Sequence, residues 1–189
     1  MRLLLASKSP RRRELLSRLG FPVSCVEAEV VETIDHNIDA ASVASHLAVL
    51  KADSCKVALC DDDVLVTADT VVVHNGFVMG KPHSLREATD MLRSLSGDKH
   101  IVYTGVCLTC NEQRSIFSEA TTVYFRKLSD EIIRYYVNQG SCMDKAGAYG
   151  IQEWIGMVGV ERIEGCYYNV MGLPLSRLYF ELRQLMKRS

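Results

Sequence analysis

Met1-Arg2-Leu3-Leu4-Leu5-Ala6-Ser7-Lys8-Ser9-Pro10-Arg11-Arg12-Arg13-Glu14-Leu15-Leu16-Ser17-Arg18-Leu19-Gly20 opens the chain and decides its fold class. Arg2 to Ala6, four apolar residues after an arginine, has the pattern of a buried strand. Ser9-Pro10 is a helix start, with Ser as N-cap and Pro at the first helical position. Leu15, Leu16 and Leu19 form the apolar stripe of that helix, and Gly20 ends it. Working outward, strand and helix keep alternating. A second strand is expected over 22–31 and a helix over 40–58, capped by Asp39, with Val43, Leu47, Leu50 and Ser54 on one side. Residues 64–79 form a hairpin turning at Asn75-Gly76, the strongest short hairpin signal. Ser84-Leu85-Arg86-Glu87 is a capping box that opens a helix to Leu95, closed by Gly97. Strands follow over 101–110 and 116–126, a helix over 129–138, short strands over 156–163 and 166–171, and a last helix from Leu175. Such alternation predicts an α/β protein with flanking helices.

The 189 residues suit one domain, 1–189, or one bilobed unit. Composition is that of a globular protein, 48% hydrophobic and 24% charged, which excludes disorder, collagen and coiled coil for the whole chain. A net charge of −1 gives no global attraction to nucleic acid or anionic membrane, so any basic site is local. No apolar run reaches the ~20 residues of a membrane span. The apolar run after Arg2 is too short for a secretory signal, whose core takes roughly 7–15 residues. A cytoplasmic protein is therefore expected. Seven cysteines, an odd number, argue against a disulfide framework. The Cys107 to Cys110 pair lies in a strand-like stretch without a partner pair at zinc spacing, so reduced buried thiols are expected there.

Residues that break a local rule without local compensation are the best functional candidates. Three places qualify. In Ser7-Lys8-Ser9-Pro10-Arg11-Arg12-Arg13, arginines in the first helical turn oppose the helix dipole. Hydroxyls, free N–H groups and guanidiniums there suit a phosphate. The glycine-rich pattern of a P-loop is absent. The second place is Asp69, a carboxylate inside the apolar strand Val64 to Val73, with Thr70 beside it. Carboxylates are rarely buried without a partner, so catalysis or metal binding is favoured over a strand-end structural role. Asp61-Asp62-Asp63 just before it reads as a solvated turn. The third place is Asp144-Lys145-Ala146-Gly147-Ala148-Tyr149-Gly150-Ile151-Gln152. It reads equally well as a ligand-contacting loop and as an ordinary turn with a surface ion pair. Weaker candidates are Lys51 at the edge of its helix stripe, Lys81 after the hairpin, Glu32 at a strand end, and His100, for which structural capping is favoured. Trp154 and Tyr149 could stack on a base, though aromatics more often pack in a core.

At these residues the sequence resembles the Maf family of nucleoside triphosphate pyrophosphatases. The matching stretches are Ala6 to Arg12, Ala68 to Val71, Gly80 to Pro82, Met91 to Gly97, Thr104 to Val106, Asp144 to Gln152 and Tyr168 to Pro174. They occur in family order along nearly the whole chain. The resemblance implies a mixed central sheet with two lobes around a nucleotide cleft, similar to inosine triphosphatase. It implies hydrolysis of a nucleoside triphosphate to monophosphate and pyrophosphate with Mg²⁺ or Mn²⁺. It assigns the proton acceptor to Asp69 and substrate discrimination to Arg12, Thr70 and Gln152. It places Glu32, Lys51 and Lys81 near the phosphates and metal. The stretch from Asp144 to Gln152 resembles the branch acting on dTTP and UTP. Gln152 is followed by Glu153-Trp154, where the family pattern has a glycine and a less bulky pair.

The mechanism expected from these assignments has Asp69 activating water for attack on the α-phosphorus. Ser7, Ser9, Arg12, Lys51 and Lys81 bind the phosphates, and Glu32 and Asp69 hold the metal through oxygen. Thr70 and Gln152 read the pyrimidine edge. Three alternatives stay open: a 7-methyl-GTP pyrophosphatase, a non-hydrolysing nucleotide sensor in cell-division control, and a nucleic-acid module using Arg11 to Arg13. Neutral net charge counts against the last, and no nucleic-acid partner is expected. A homodimer is compatible with the sequence.

Overall fold

The computed structural model describes residues 1–27 and 38–188, with side chains up to 185. The expected second strand appears as a shorter one, and residues 28–31 of it lie outside the described residues. The elements run β1 (Arg2–Ala6), α1 (Pro10–Ser17), β2 (Val23–Val26), α2 (Ala40–Ser54), β3 (Asp63–His74), β4 (Phe77–Met79), α3 (Leu85–Leu95), β5 (Lys99–Cys110), β6 (Gln113–Phe125), α4 (Asp130–Val137), α5 (Trp154–Gly159), β7 (Val160–Glu164), α6 (Tyr167–Val170) and α7 (Leu175–Arg188). Two short 3-10 turns lie between α4 and α5.

Among the described residues, seven strands share one sheet in the order β2-β1-β3-β5-β6-β7, with β4 paired to β3. β1 is parallel to both β2 and β3, whereas β4 on β3 and β7 on β6 are antiparallel. The sheet is therefore mixed, and the α/β expectation holds. Asn75 and Gly76 take positive φ of 50° and 83°, which matches the right-handed twist of the hairpin strands.

The chain divides into two compact units. The first comprises Met1–Asp69, Thr104–Glu119 and Gly172–Ser189; the second comprises Thr70–Tyr103 and Ala120–Met171. In the first, Leu4, Ala6, Ala48, Ala52, Leu65 and Cys107 form a buried cluster joining strands to α2. In the second, Leu92, Leu95, Ile133, Tyr136 and Ile155 pack α3, α4 and α5 together with Val123 and Phe125.

Three local expectations need correction. First, α2 stops at Ser54 rather than continuing to residue 58, because Cys55 turns to extended backbone at ψ 116°. Its buried face is Val43, Ala44, Leu47, Ala48 and Ala52, with Leu50 only half-buried. Second, the strands expected over 156–163 and 166–171 are each partly or wholly helical. Ile155 and Gly159, four apart, are the buried residues of α5, a helical spacing. Val160–Glu164 is the part that forms a strand. The backbone of Asn169 and Val170 bonds to the Cys166 carbonyl at 3.1 and 3.4 Å, closing α6. Asn169 itself is buried and donates to the Val102 carbonyl and Thr121 Oγ1 at 3.0 and 2.9 Å. Third, Asp63 is not part of a solvated turn. It is 3% exposed and accepts both nitrogens of the Arg2 fork at 3.0 and 2.8 Å. The Arg2 hydrogen bonds, then the Cys60 backbone amide, hold its carboxyl down to about 2.

Candidate active site

The charged centre of the first unit depends on how closely α2 approaches the sheet. A Cβ on Gly105 would sit 2.2 Å from Ser45 N and 2.3 Å from the Ala44 carbonyl carbon. Only glycine permits that backbone-on-backbone contact. One turn further along α2, Thr67 Oγ1 donates to the Ala48 carbonyl at 2.7 Å. Residues 67 and 69 share a strand face, and residues 48 and 51 share a helix face. The two periodicities therefore bring the next pair together: Lys51 Nζ donates to Asp69 Oδ1. Their side chains are only 13% and 12% exposed. Lys51 also lies in the last turn of α2, where the dipole favours a cation. This is the partner that a carboxylate in an apolar strand requires.

The loop between β1 and α1 is ordered by its own hydroxyls. Ser7 Oγ accepts from Ser9 N at 3.2 Å, and Ser9 Oγ accepts from Arg12 N at 3.4 Å, forming the expected N-cap. Two of the amides that could face an anion are thus satisfied within the loop. Arg12 Nε donates to the Gly172 carbonyl at 2.9 Å, so the guanidinium is aimed by backbone rather than loose in solvent. Arg11 and Arg12 are half-buried; Arg13 is exposed. Glu32 lies outside the described residues.

In the second unit, Thr70 is half-buried and follows Asp69 directly along β3. Strand alternation turns it to the opposite face. Lys81 is exposed, and the carbonyl of Gly80 before it accepts from Gly147 N at 3.0 Å. That bond ties the post-hairpin loop to the glycine-containing stretch. Gln152 is half-buried. Of the ion pair in this stretch only the lysine is buried: Lys145 is 7% exposed and bonds the exposed Asp144 at 2.6 Å and the half-buried Glu153 at 2.8 Å. Glu153 also accepts from the Tyr136 hydroxyl and from Ser141 Oγ at 3.1 Å. Burial, and then the hydrogen bond to Glu153, push the Tyr136 phenol upward, so it stays a donor. Sequence reading missed this network. Its local signal was the pair Asp144-Lys145, but Tyr136 and Glu153 meet only in three dimensions.

His100 is a core residue, 1% exposed. Its Nε2 lies 2.6 Å from the Tyr149 hydroxyl, and Nδ1 has no partner among the described residues. Burial, followed by the charge of His74, lowers it to about 4. Tyr149 is edge-on to His100 and Phe125 at 5.3 and 4.9 Å between ring centres, 5% exposed, and is not available to stack on a base. Trp154 packs against Tyr135 at 4.6 Å.

Among the described residues no group of three or more His, Cys, Asp and Glu is placed to hold a metal ion. Mg²⁺ usually takes one or two carboxylates and fills its other positions with water and substrate phosphate oxygens. The carboxylate of Asp69, whose Oδ1 accepts from Lys51 Nζ, is a donor of that kind. All seven cysteines are free, and among the described residues no helix is long and apolar enough to cross a membrane.

The chain thus combines a mixed α/β sheet, a basic strand-loop-helix start and a shielded Asp69–Lys51 pair. The chain matches the family described as Maf-like protein over residues 2–185. It belongs to that family. A relative from Bacteroides thetaiotaomicron named dTTP/UTP pyrophosphatase is 47% identical over 184 residues, covering 97% of this chain and 95% of its own. One of the same name from Phocaeicola vulgatus is 48% identical, covering 97% and 96%. Another from Porphyromonas gingivalis is 44% identical, covering 96% and 93%. A solved structure described as a nucleoside-triphosphatase / dITP/XTP pyrophosphatase from Mycobacterium abscessus is 13% identical. It covers 68% of this chain and 76% of its own, with a TM-score of 0.42, too slight a likeness to bear on function.

Proposed function

We propose that this chain hydrolyses dTTP and UTP to the monophosphate and pyrophosphate. The observation that carries this reading is end-to-end similarity to relatives of that name, at 44–48% identity in those described. The Lys51–Asp69 pair supplies the chemistry. Asp69 Oδ takes the proton of the water that attacks the α-phosphorus. Lys51 fixes that carboxylate's orientation and offsets negative charge that develops on the phosphate oxygens. Arg12, aimed by the Gly172 carbonyl, together with Ser7, Ser9 and Lys81, binds the polyphosphate. One such electrostatic contact contributes about 2.7–4 kcal/mol in a transition state, so Lys51→Ala lowers kcat about 10²–10³-fold.

Asp69, with Glu32, would hold Mg²⁺ or Mn²⁺, and the ion when bound polarises the phosphate and shields its charge. Thr70 and Gln152 read the base edge by hydrogen bonds, which discriminate strongly because a wrong partner leaves a polar group unpaired. Seven free thiols suit a reducing, cytoplasmic setting.

The test is pyrophosphate release across dTTP, UTP, CTP, GTP, ATP and 7-methyl-GTP, by the native protein and by Gln152→Ala. Preference for dTTP and UTP that collapses in the variant supports the assignment. Preference for 7-methyl-GTP overturns the substrate class, and an unchanged dTTP to GTP ratio in the variant removes Gln152 from it.

A further inference from the structure

The turn that carries Gln152 is held at both ends by one side chain. Glu153 N donates to the Gly150 carbonyl at 3.0 Å, so 150–153 is a β-turn with Gln152 at its third position. The Tyr136 hydroxyl accepts from Gly150 N at 3.2 Å and donates to Glu153 Oε2, bridging the first and last residues of the turn. Ser141 Oγ donates to the same oxygen at 3.1 Å, and Lys145 Nζ bonds Oε1 at 2.8 Å. Lys145 donates as well to the Ser141 carbonyl. Three of these contacts end on the Glu153 carboxylate, from Tyr136, Ser141 and Lys145. Gly150 leaves room for the cluster: a Cβ there would lie 2.9 Å from Glu153 Cδ and Lys145 Cε, and 3.2 Å from Gln152 Nε2. The Gln152 amide nitrogen thus lies close over the Gly150 backbone. Its neighbour's carboxylate anchors that backbone to α4 through Tyr136 and to the preceding turn through Ser141 and Lys145.

The geometry points to Glu153 as a positioning residue that sets base selectivity by fixing the turn on which Gln152 is presented. It rests on the reading of Gln152 as a base-reading residue. Side chains that position a polar reader act on discrimination, because a displaced amide no longer distinguishes the right base edge from the wrong one. The phosphate chemistry belongs to residues elsewhere in the chain. Loss of Glu153 is therefore expected in KM for the preferred nucleotide and in the ratio between nucleotides, with kcat nearly kept. Lys145, buried and left without its Glu153 partner, makes Glu153→Ala a variant that could fail to fold. Glu153→Gln keeps acceptors for Tyr136 and Ser141. Tyr136→Phe removes the bridge while leaving the Lys145–Glu153 pair.

The experiment measures kcat and KM for dTTP and GTP by pyrophosphate release, with thermal melts, for Glu153→Ala, Glu153→Gln and Tyr136→Phe. Glu153→Ala is repeated in a Gln152→Ala background. Glu153→Ala and Tyr136→Phe each lower the dTTP to GTP ratio of kcat/KM about tenfold, Glu153→Gln restores most of it, and Glu153→Ala adds less than about twofold once Gln152 is gone. Equal losses for dTTP and GTP mean a structural role only and overturn the proposal. So does a Glu153→Ala effect that persists undiminished in the Gln152→Ala background. If Glu153→Ala does not fold, Tyr136→Phe with an unaltered ratio overturns it in the same way. An unaltered ratio in Gln152→Ala alone identifies failure of the underlying reading, and the proposal falls with it.

Discussion

Asp69 and Lys51 stand eighteen residues apart, one in a strand of valines and one at the end of a helix. Neither is stable alone where it sits. Removing one member of a well-shielded ion pair leaves an uncompensated charge and costs about 3–5 kcal/mol at full burial. Lys51→Met is therefore expected to lower stability by a few kcal/mol. Lys51→Met with Asp69→Leu recovers most of that loss without recovering turnover. Denaturant melts and pyrophosphate release on the same preparations check this. Recovery of neither stability nor activity would show that the pair's geometry, rather than its charge balance, matters. The Asp69 carboxylate was visible in the sequence because it broke an apolar run. Its partner was visible only as a cation at a stripe edge. What joins them is the crossing of a strand period and a helix period, which no local pattern contains. Glu153 was legible only as a departure from a resemblance, since its partners Tyr136 and Lys145 lie 17 and 8 positions away in sequence.

At the scale of elements, the strong local signals succeeded. Ser9, Ser84 and Ser129 each accept a backbone N–H three residues on, as N-caps do. Glu87 of the expected capping box reaches back to His83 N at 2.7 Å, one residue earlier than the simplest box. The failures were short apolar segments. Residues 154–159 and 167–170 are helices of six and four residues, too short for a 3.6-residue period to outweigh the look of a strand. Helix α2 tests the packing argument. Gly105→Ala forces a methyl into its backbone and is expected to cost about 1–3 kcal/mol, the usual range for overpacking. Because α2 carries Lys51, turnover should fall further than stability alone explains. Melting temperature and kcat at a temperature well below the melt separate the two. A normal melt with normal kcat would mean that α2 is not set by that contact.

Across the whole molecule, two buried groups make stability depend on pH in separate windows. His100 is lowered to about 4 in the folded chain against 6.5 unfolded. Its contribution is complete above about pH 6.5 and is lost as pH falls towards 4, roughly 3 kcal/mol at most. Asp63, held at about 2 against 3.8, contributes above about pH 4 and is lost below that. Urea melts from pH 7 to 4 should show the decline in the native protein and a flatter profile in His100→Gln, which keeps a partner for Tyr149. An identical slope in both would remove His100 as its cause. Composition set the broad class correctly, since neutral charge and ordinary hydrophobic content fit a globular α/β chain. Division into two compact units was not legible in composition, because β3, β5 and β6 carry residues of both.

The most direct test of the central claim compares pyrophosphate release from dTTP, with Mg²⁺ or Mn²⁺ supplied, by the native protein and Asp69→Asn, with matched melts. Turnover in the native protein, lost by at least about 10³-fold in a variant that still folds, is the predicted result. Near-native turnover by Asp69→Asn, or none by the native protein, would contradict it.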